Sequence, residues 1–595
     1  METRSFPKSW GAEFVAADTV RFRLWASGQS EVTLRLSAKD IEMTPTGNGW
    51  FEVEVAGVKP GEEYQYVLAD GKTVADPASR AQRDDVGGPS LVIDPARYAW
   101  QNTGWAGRAW EETVVYELHI GTFTPQGTFR AAIDKLPHLA GLGITMIEVL
   151  PLAQFGGRRG WGYDGVLLYA PHAAYGSPED FKAFVDAAHG YGISVVLDIV
   201  LNHFGPEGNY LPLLSPDFFH PERTTPWGAA IAWDVDAVRR YIVEAPLYWL
   251  QEYNLDGLRF DAIDQIEDSQ QPHVLIEIAQ RIRAEIPQRP IHLTTEDCRN
   301  VIFLHPRDAD GSAPLFTGEW NDDFHNAVHV FATGETHAYY QDFADQPEKG
   351  VARALTEGFI YQGQVSPQSG EARGVDSRGQ PPVTFVDFIQ NHDQVGNRAL
   401  GERLISLAGA DRSKVMLAML LLSPHIPLLF MGEEYGETHP FLFFTDFHGD
   451  LARAVREGRA REFAGHAGHE GESVPDPNAE QTFIASRLDW HKPETPEGQA
   501  WMALTRQLLT LRQQYIVPLL ARAGGHSGNV VKTAPGFLAV SWTFPQGTLS
   551  MAVNIAATPQ PLPDLPGETI FAWPDRGGDL PPHSILVRLL PGDAT

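Results

Sequence analysis

The sequence holds one cysteine, Cys298, in 595 residues. A single thiol forms no intramolecular disulfide and no thiolate metal cluster. Positive charge is also scarce: 46 Lys and Arg stand against 76 Asp and Glu, a formal net charge of −30. That balance repels polyanions and argues against a nucleic-acid partner, while a neutral ligand is compatible with it. No apolar run is long enough to span a bilayer, and Met1-Glu2-Thr3-Arg4-Ser5 carries no apolar signal core. These absences lead to the expectation of a cytoplasmic, reducing setting with no membrane partner. What remains is 43% hydrophobic and 21% charged, the composition of a globular chain, and long enough for several domains.

Up to about residue 95 the pattern has period two. Val20, Phe22 and Leu24 alternate with Arg21 and Arg23, and Phe51, Val53 and Val55 alternate with Glu52 and Glu54. Val32, Leu34 and Leu36 repeat the theme, with Pro60-Gly61 and Asp70-Gly71 as turns. One buried and one wet face per strand predicts a small β-sandwich over 1–95. From residue 114 short apolar runs alternate with helical stretches. Strands are expected at 114–120, 146–150, 193–198, 255–261, 291–296, 314–320, 383–390 and 427–431. A helix is expected over 129–142, and another begins after Ser177 as N-cap, with Pro178 in the first turn and Glu179 and Asp180 at the positive end of its dipole. Eight such strands predict a (β/α)₈ barrel over 96–522, with a doubly wound sheet as the structural rival. Strand-like runs at 537–544, 548–555 and 584–590 predict a C-terminal antiparallel β-domain, a second sandwich over 523–595. Residues 462–480, rich in Gly, His, Glu and Pro, are expected to form a surface loop.

Polar groups cluster where a barrel would open. Asp198 is followed by Asn202-His203; Arg259 and Asp261 lie two apart and so share one side of a strand; Glu296 and Asp393 each end an apolar run, the latter beside His392. Glycosidic bond cleavage needs one carboxylate to attack or stabilise the cationic sugar carbon, and a second, protonated, to hand a proton to the departing oxygen. Arg259 beside Asp261 favours the ionised form of that carboxylate. Glu296 has no basic neighbour in its strand, so burial and nearby carboxylates would raise its pKa, which suits an acid. Asp393 completes the set by gripping sugar hydroxyls. Fifteen Trp, seventeen Tyr and thirty-one Phe offer flat faces for core packing and for sugar stacking. Each motif alone has a structural reading, as an ion pair, a loop hydrogen bond or a helix cap; four in order on separate strands favour catalysis.

These four segments resemble the four signature regions of the α-amylase family of glycoside hydrolases. The resemblance implies Asp261 as nucleophile, Glu296 as general acid/base and Asp393 as transition-state stabiliser. It implies Arg259, His203 and His392 as supports around the cleaved sugar, Tyr163 as the aromatic beneath it, and Asp198 as support for the arginine. It also implies retention of the α configuration, with the two leading carboxyl groups about 5–5.5 Å apart. Longer segments, 116–124 (YELHIGTFT), 156–165 (GGRRGWGYDG), 169–176 (YAPHAAYG), 320–326 (WNDDFHN), 390–404 (QNHDQVGNRALGERL) and 456–464 (REGRAREFA), are similar to the maltooligosyltrehalose trehalohydrolases. That family cuts the α-1,4 bond next to a terminal α,α-trehalose unit and works with a maltooligosyltrehalose synthase. The resemblance nominates Trp227, Asp323, Phe324, His325 and Tyr340 for the trehalose side. After Ser366-Pro367, where the family has an aromatic–arginine pair, this chain has Gln368-Ser369. The region after Asn202 shows no dense Asp/Asn cluster of the kind calcium needs, so neither metal nor cofactor is expected. Glycogen branching or debranching enzymes of the same family are the alternative reading. A catalytically silent glucan-binding protein is disfavoured because all three carboxylates are in place.

Overall fold

The computed structural model describes residues 4–463, 474–574 and 578–592. At its centre eight parallel strands close into a barrel in sequence order: β1 (Val115–Leu118), β2 (Met146–Val149), β3 (Ser194–Ile199), β4 (Gly257–Phe260), β5 (His292–Thr295), β6 (Gly318–Trp320), β7 (Phe385–Phe388) and β8 (Ile426–Phe430). The ring shuts where β8 pairs with β1, Val115 opposite Leu428. Every residue of these strands is buried, which explains their near-continuous apolar reading: inner residues fill the barrel and outer ones meet helices. The doubly wound rival is thereby excluded.

Helix α1 (Pro178–Gly190) starts as the sequence predicts. The Ser177 side chain accepts from the Asp180 N–H, and the Asp180 carboxylate accepts from the Ser177 N–H, a reciprocal cap. The helix expected over 129–142 is instead two, Phe129–Ile133 and Leu136–Leu142. Pro137 lacks the N–H that would bond back to Ile133, so a single helix cannot run through, and proline falls in the first turn of the second. Helix α2 (Asp236–Glu252) lies on the outer side of the barrel and carries the N-terminal domain against it.

That domain is the expected two-layer sandwich. One sheet joins Gly11–Ala16, Thr19–Trp25, Trp50–Ala56 and Thr44–Gly47; the other joins Lys39–Glu42, Val32–Leu36, Glu63–Leu68 and Thr73–Val74. Phe22 meets Tyr64 across the layers, edge to face at 5.1 Å between ring centres. The C-terminal strands differ from expectation. Among the described residues they form one five-stranded antiparallel sheet and not a sandwich. Helices substitute for the second layer: Trp542 donates its indole N–H to Leu355 O (2.8 Å) in the helix Pro347–Glu357, and apolar loop residues such as Leu565 and Leu580 cover the other face. Of the loop expected at 462–480, residues 462–463 end a helix, 464–473 lie outside the described residues, and 480 begins another helix. Among the described residues no helix is long and apolar enough to cross a membrane.

Candidate active site

The carboxyl ends of the strands bring the predicted acids together through one side chain. Arg259, in the middle of β4, is 1% exposed. Its Nη1 donates to Asp198 Oδ2 (2.7 Å) at the end of β3 and to Asp261 Oδ1 (2.8 Å), while Nη2 lies 3.2 Å from Glu296 Oε2. Trp320, ending β6, covers the guanidinium face at 4.2 Å. One buried cation therefore touches three of the predicted residues from three different strand ends.

Each carboxylate is held differently. Asp261 also accepts from Asn202 Nδ2 at both its backbone oxygen (2.9 Å) and Oδ2 (3.0 Å), which fixes its direction. Glu296 accepts from the Ala262 N–H through Oε2 (2.8 Å), the oxygen that faces Arg259. That N–H is aimed by a left-handed backbone at Ala262, φ 40°, a costly conformation for a residue with a Cβ and one concentrated at working sites. Both contacts fall on Oε2, so a proton on Glu296 sits on Oε1. Burial holds the Glu296 carboxyl well above the usual range; Arg259 opposes this, while Asp261, Asp322 and Asp393 reinforce it. Burial likewise lifts Asp198 to about 6 against the pull of Arg259.

Asp393 follows β7 and is the open member, with its side chain 48% exposed and Oδ1 accepting from Asn397 Nδ2 (2.8 Å). Beside it His392 is buried. The His392 ring lies nearly parallel to Tyr163, 5.2 Å between centres. Tyr163 Oη is 2.6 Å from Asp198 Oδ2 and 2.8 Å from His392 Nε2. His203 bonds Tyr163 O through Nε2 (2.9 Å) and Asn202 through Nδ1. Trp227, at the tip of the hairpin Phe219–Ile231, is 50% exposed and stacks on His203 at 5.0 Å. Eight predicted residues are thus joined by contacts around Arg259 and Tyr163, and Trp227 stacks on one of them.

The remaining nominations lie behind the cleft wall. Asp323 is fully buried and accepts from Asn300 Nδ2 and the N–H groups of Ile360 and Tyr361, with Arg373 on its other oxygen. Phe324 is a core residue, His325 donates through Nδ1 to Ile389 O (3.1 Å), and Tyr340 stacks on His329 at 4.2 Å. Their neighbours face the acids instead. Asp322, at the first turn of helix α3 (Asp322–Thr333), is lifted to about 7 by burial and by Asp393 and Asp323. Tyr339 reaches Gln394 Oε1 at 3.4 Å, next to Asp393. Gln368 and Ser369 are exposed in a turn whose backbone is tied to Asp342 and Ser366. Sequence reasoning marked Asn202 with His203 but gave it no role, and missed Glu117; a glutamate within the fully buried strand β1 was the available signal, because a buried charge demands a partner.

A closed parallel barrel with two carboxylates from neighbouring strand ends on one buried arginine, the second held above the usual range by burial, is the arrangement of a glycoside hydrolase. Residues 91–212 and 224–462 match the family Alpha-amylase, described as the α-amylase catalytic domain, and the chain belongs to that family. Within it the similarity is to malto-oligosyltrehalose trehalohydrolases: that of Deinococcus radiodurans is 42% identical over 89% of this chain and 88% of its own length. That of Saccharolobus solfataricus is 39% identical over 87% and 90%. A 1,4-alpha-glucan branching enzyme of Nocardia farcinica is 26% identical over 81% of this chain and 65% of its own. A crystal structure of a putative alpha amylase from Salmonella typhimurium superposes with a TM-score of 0.97 at 73% identity, covering 98% of this chain and all of that one.

Proposed function

We propose that the chain is an α-retaining hydrolase that cuts the α-1,4-glucosidic bond next to the terminal α,α-trehalose of maltooligosyltrehalose, releasing trehalose. The observation that carries the chemistry is Arg259 bound at once to Asp198, Asp261 and Glu296. The substrate follows from the trehalohydrolase relatives, which match at 35–42% identity over most of this chain, against 26% for the branching enzyme. Asp261 attacks the anomeric carbon while the proton on Glu296 passes to the departing oxygen of trehalose. The sugar is then bonded to Asp261, and Glu296, now ionised, takes a proton from water, whose oxygen replaces Asp261 at the anomeric carbon. Asp393 grips hydroxyls of the ring carrying positive charge; Tyr163 stacks beneath it, and His203, His392 and Asp198 hold these groups in place. Trp227 meets sugars at the rim, with Asp322 and Tyr339 the cleft-facing members of the pairs in which Asp323 and Tyr340 are packed away. The setting is the cytoplasm, acting on the product of a maltooligosyltrehalose synthase.

The test is product analysis on a maltooligosyltrehalose of defined length. Trehalose and a maltooligosaccharide shorter by two glucose units are expected, with far slower release of sugar from the plain maltooligosaccharide. Equal rates on both substrates would reject the substrate assignment. A rise in branch content without release of sugar would favour a branching enzyme.

A further inference from the structure

Glu117 lies in the middle of β1, where all four side chains are buried. No lysine or arginine neutralises it among the described ion pairs; both its oxygens are given to one residue. His392 donates its backbone N–H to Oε2 (2.9 Å), and its Nδ1 lies 2.5 Å from Oε1. The strands β1 and β7 are thereby tied together across β8, directly beneath the proposed sugar site. The contacts continue in one direction. Tyr163 has a single hydroxyl proton and two partners, His392 Nε2 at 2.8 Å and Asp198 Oδ2 at 2.6 Å. Asp198 Oδ2 already accepts from Arg259, so it is a carboxylate oxygen and takes the phenol proton as well. His392 Nε2 must then donate to Tyr163, and Nδ1, facing a carboxylate, must donate to Glu117. Both ring nitrogens carry protons.

We propose that Glu117 is a positioning residue for the reaction: it keeps His392 doubly protonated, and so fixes the Tyr163 hydroxyl toward Asp198 and anchors Asp393 at the cleaved sugar. His392 Nε2 is 3.9 Å from Asp393 Oδ1, so the same charge faces the open acid of the site. The groups around the imidazole agree with this state. Burial disfavours its charge, but Glu117, by charge and hydrogen bond, and Asp393 outweigh burial and the opposing Arg259, raising the ring to about 9. Asp198 from β3 adds to the negative surroundings. Glu148 from β2 is held well above the carboxylate range by burial and by Asp198 and Glu117, and burial lowers the His119 ring to about 3.

The proposal rests on the site assignment above, and two measurements separate the two. The first needs no substrate: the histidine ring resonances of the full chain are titrated by NMR, with His392 identified by its loss in His392→Gln. His392 is expected to titrate near pH 9, and in Glu117→Gln at least two pH units lower; an ordinary midpoint near 6.5 in the unaltered protein overturns the proposal even if the variant fails to fold. The second is kcat/KM from pH 5 to 9. Glutamine keeps the size and one accepting oxygen but not the charge. The activity ratio of unaltered protein to Glu117→Gln should therefore grow at least tenfold between pH 5.5 and 8, as the variant's His392 loses its proton. A ratio constant across that range would mean that Glu117 only packs β1, and would reject a positioning role.

Discussion

At the scale of single residues, two carboxylates at the ends of neighbouring strands are given different surroundings. Asp261 is bonded by Arg259 and Asn202, both donors, whereas Glu296 is surrounded by acids and burial. Asp261→Asn is expected to lower kcat by at least about 10⁴-fold while glucan binding, measured calorimetrically, persists, because an amide does not attack the sugar carbon. Glu296→Gln should cost about 10²–10⁴ on natural substrate but far less on a glucoside with an acidic phenol as leaving group, which needs no proton. The sign of the pH effect follows: the working form of Glu296 is protonated, its carboxyl is raised, and activity is lost as pH climbs through that raised value. Asp322→Asn removes a nearby negative charge, so the alkaline limb of kcat/KM should move to lower pH; a shift upward would contradict the acid role. The choice of Asp322 over Asp323 was not legible in the sequence. Adjacent helical residues point about 100° apart, and only the placement of α3 decides which one meets the cleft and which one meets Arg373. That Asp261, Glu296 and Asp393 follow barrel strands on one rim was legible because each acid ends an apolar run, and strand ends of a barrel share one rim.

At the scale of elements, the eight strands could be read because burial on both faces leaves mostly apolar runs, broken chiefly by the polar residues near their carboxyl ends, and α1 because Ser177, Pro178 and Asp180 encode its start locally. The split at Pro137 was encoded too, but helical periodicity on both sides concealed it. The C-terminal sheet was recognisable as strands, yet its missing second layer was not, because an apolar face reads the same whether a sheet or a helix covers it. The hairpin Phe219–Ile231 is an element of a different kind: much of it is exposed, and its tip projects Trp227 over His203. An indole half in solvent with no core to join has a face to offer to a sugar. Trp227→Ala should raise KM by up to roughly tenfold, about 1.4 kcal/mol of stacking, with kcat and melting temperature little changed. An unchanged KM would remove the hairpin from the substrate path. Ser177→Ala, far from the cleft, should cost about 1 kcal/mol in urea unfolding and leave KM alone.

At the scale of the whole molecule, the N-terminal sandwich is built into the barrel's outer wall. Trp10, fully buried, meets Trp25 and Trp50 of the sandwich and Tyr241 of α2, the last at 5.0 Å. Arg80, also buried, pairs with Glu13 of the sandwich (2.7 Å) and with Glu252 at the end of α2 (3.1 Å), and donates to the backbone of Phe6 and Ala12. The Phe6 N–H reaches the same Glu252. A buried ion pair adds little over apolar packing, but removing one partner strands the other's charge in the interior. Arg80→Met is therefore expected to destabilise by about 3–5 kcal/mol, and the double variant Arg80→Met, Glu252→Gln to recover part of that loss, since no charge is left unmatched at α2. Trp10→Ala should cost a similar ~3–5 kcal/mol through the cavity it opens. Because α2 sits between β3 and β4, whose ends carry Asp198, Arg259 and Asp261, loosening this wall should melt sandwich and barrel in one transition, with activity lost along the same curve. Two separate calorimetric transitions, with catalysis surviving the first, would instead make the sandwich an independent module that the barrel only carries.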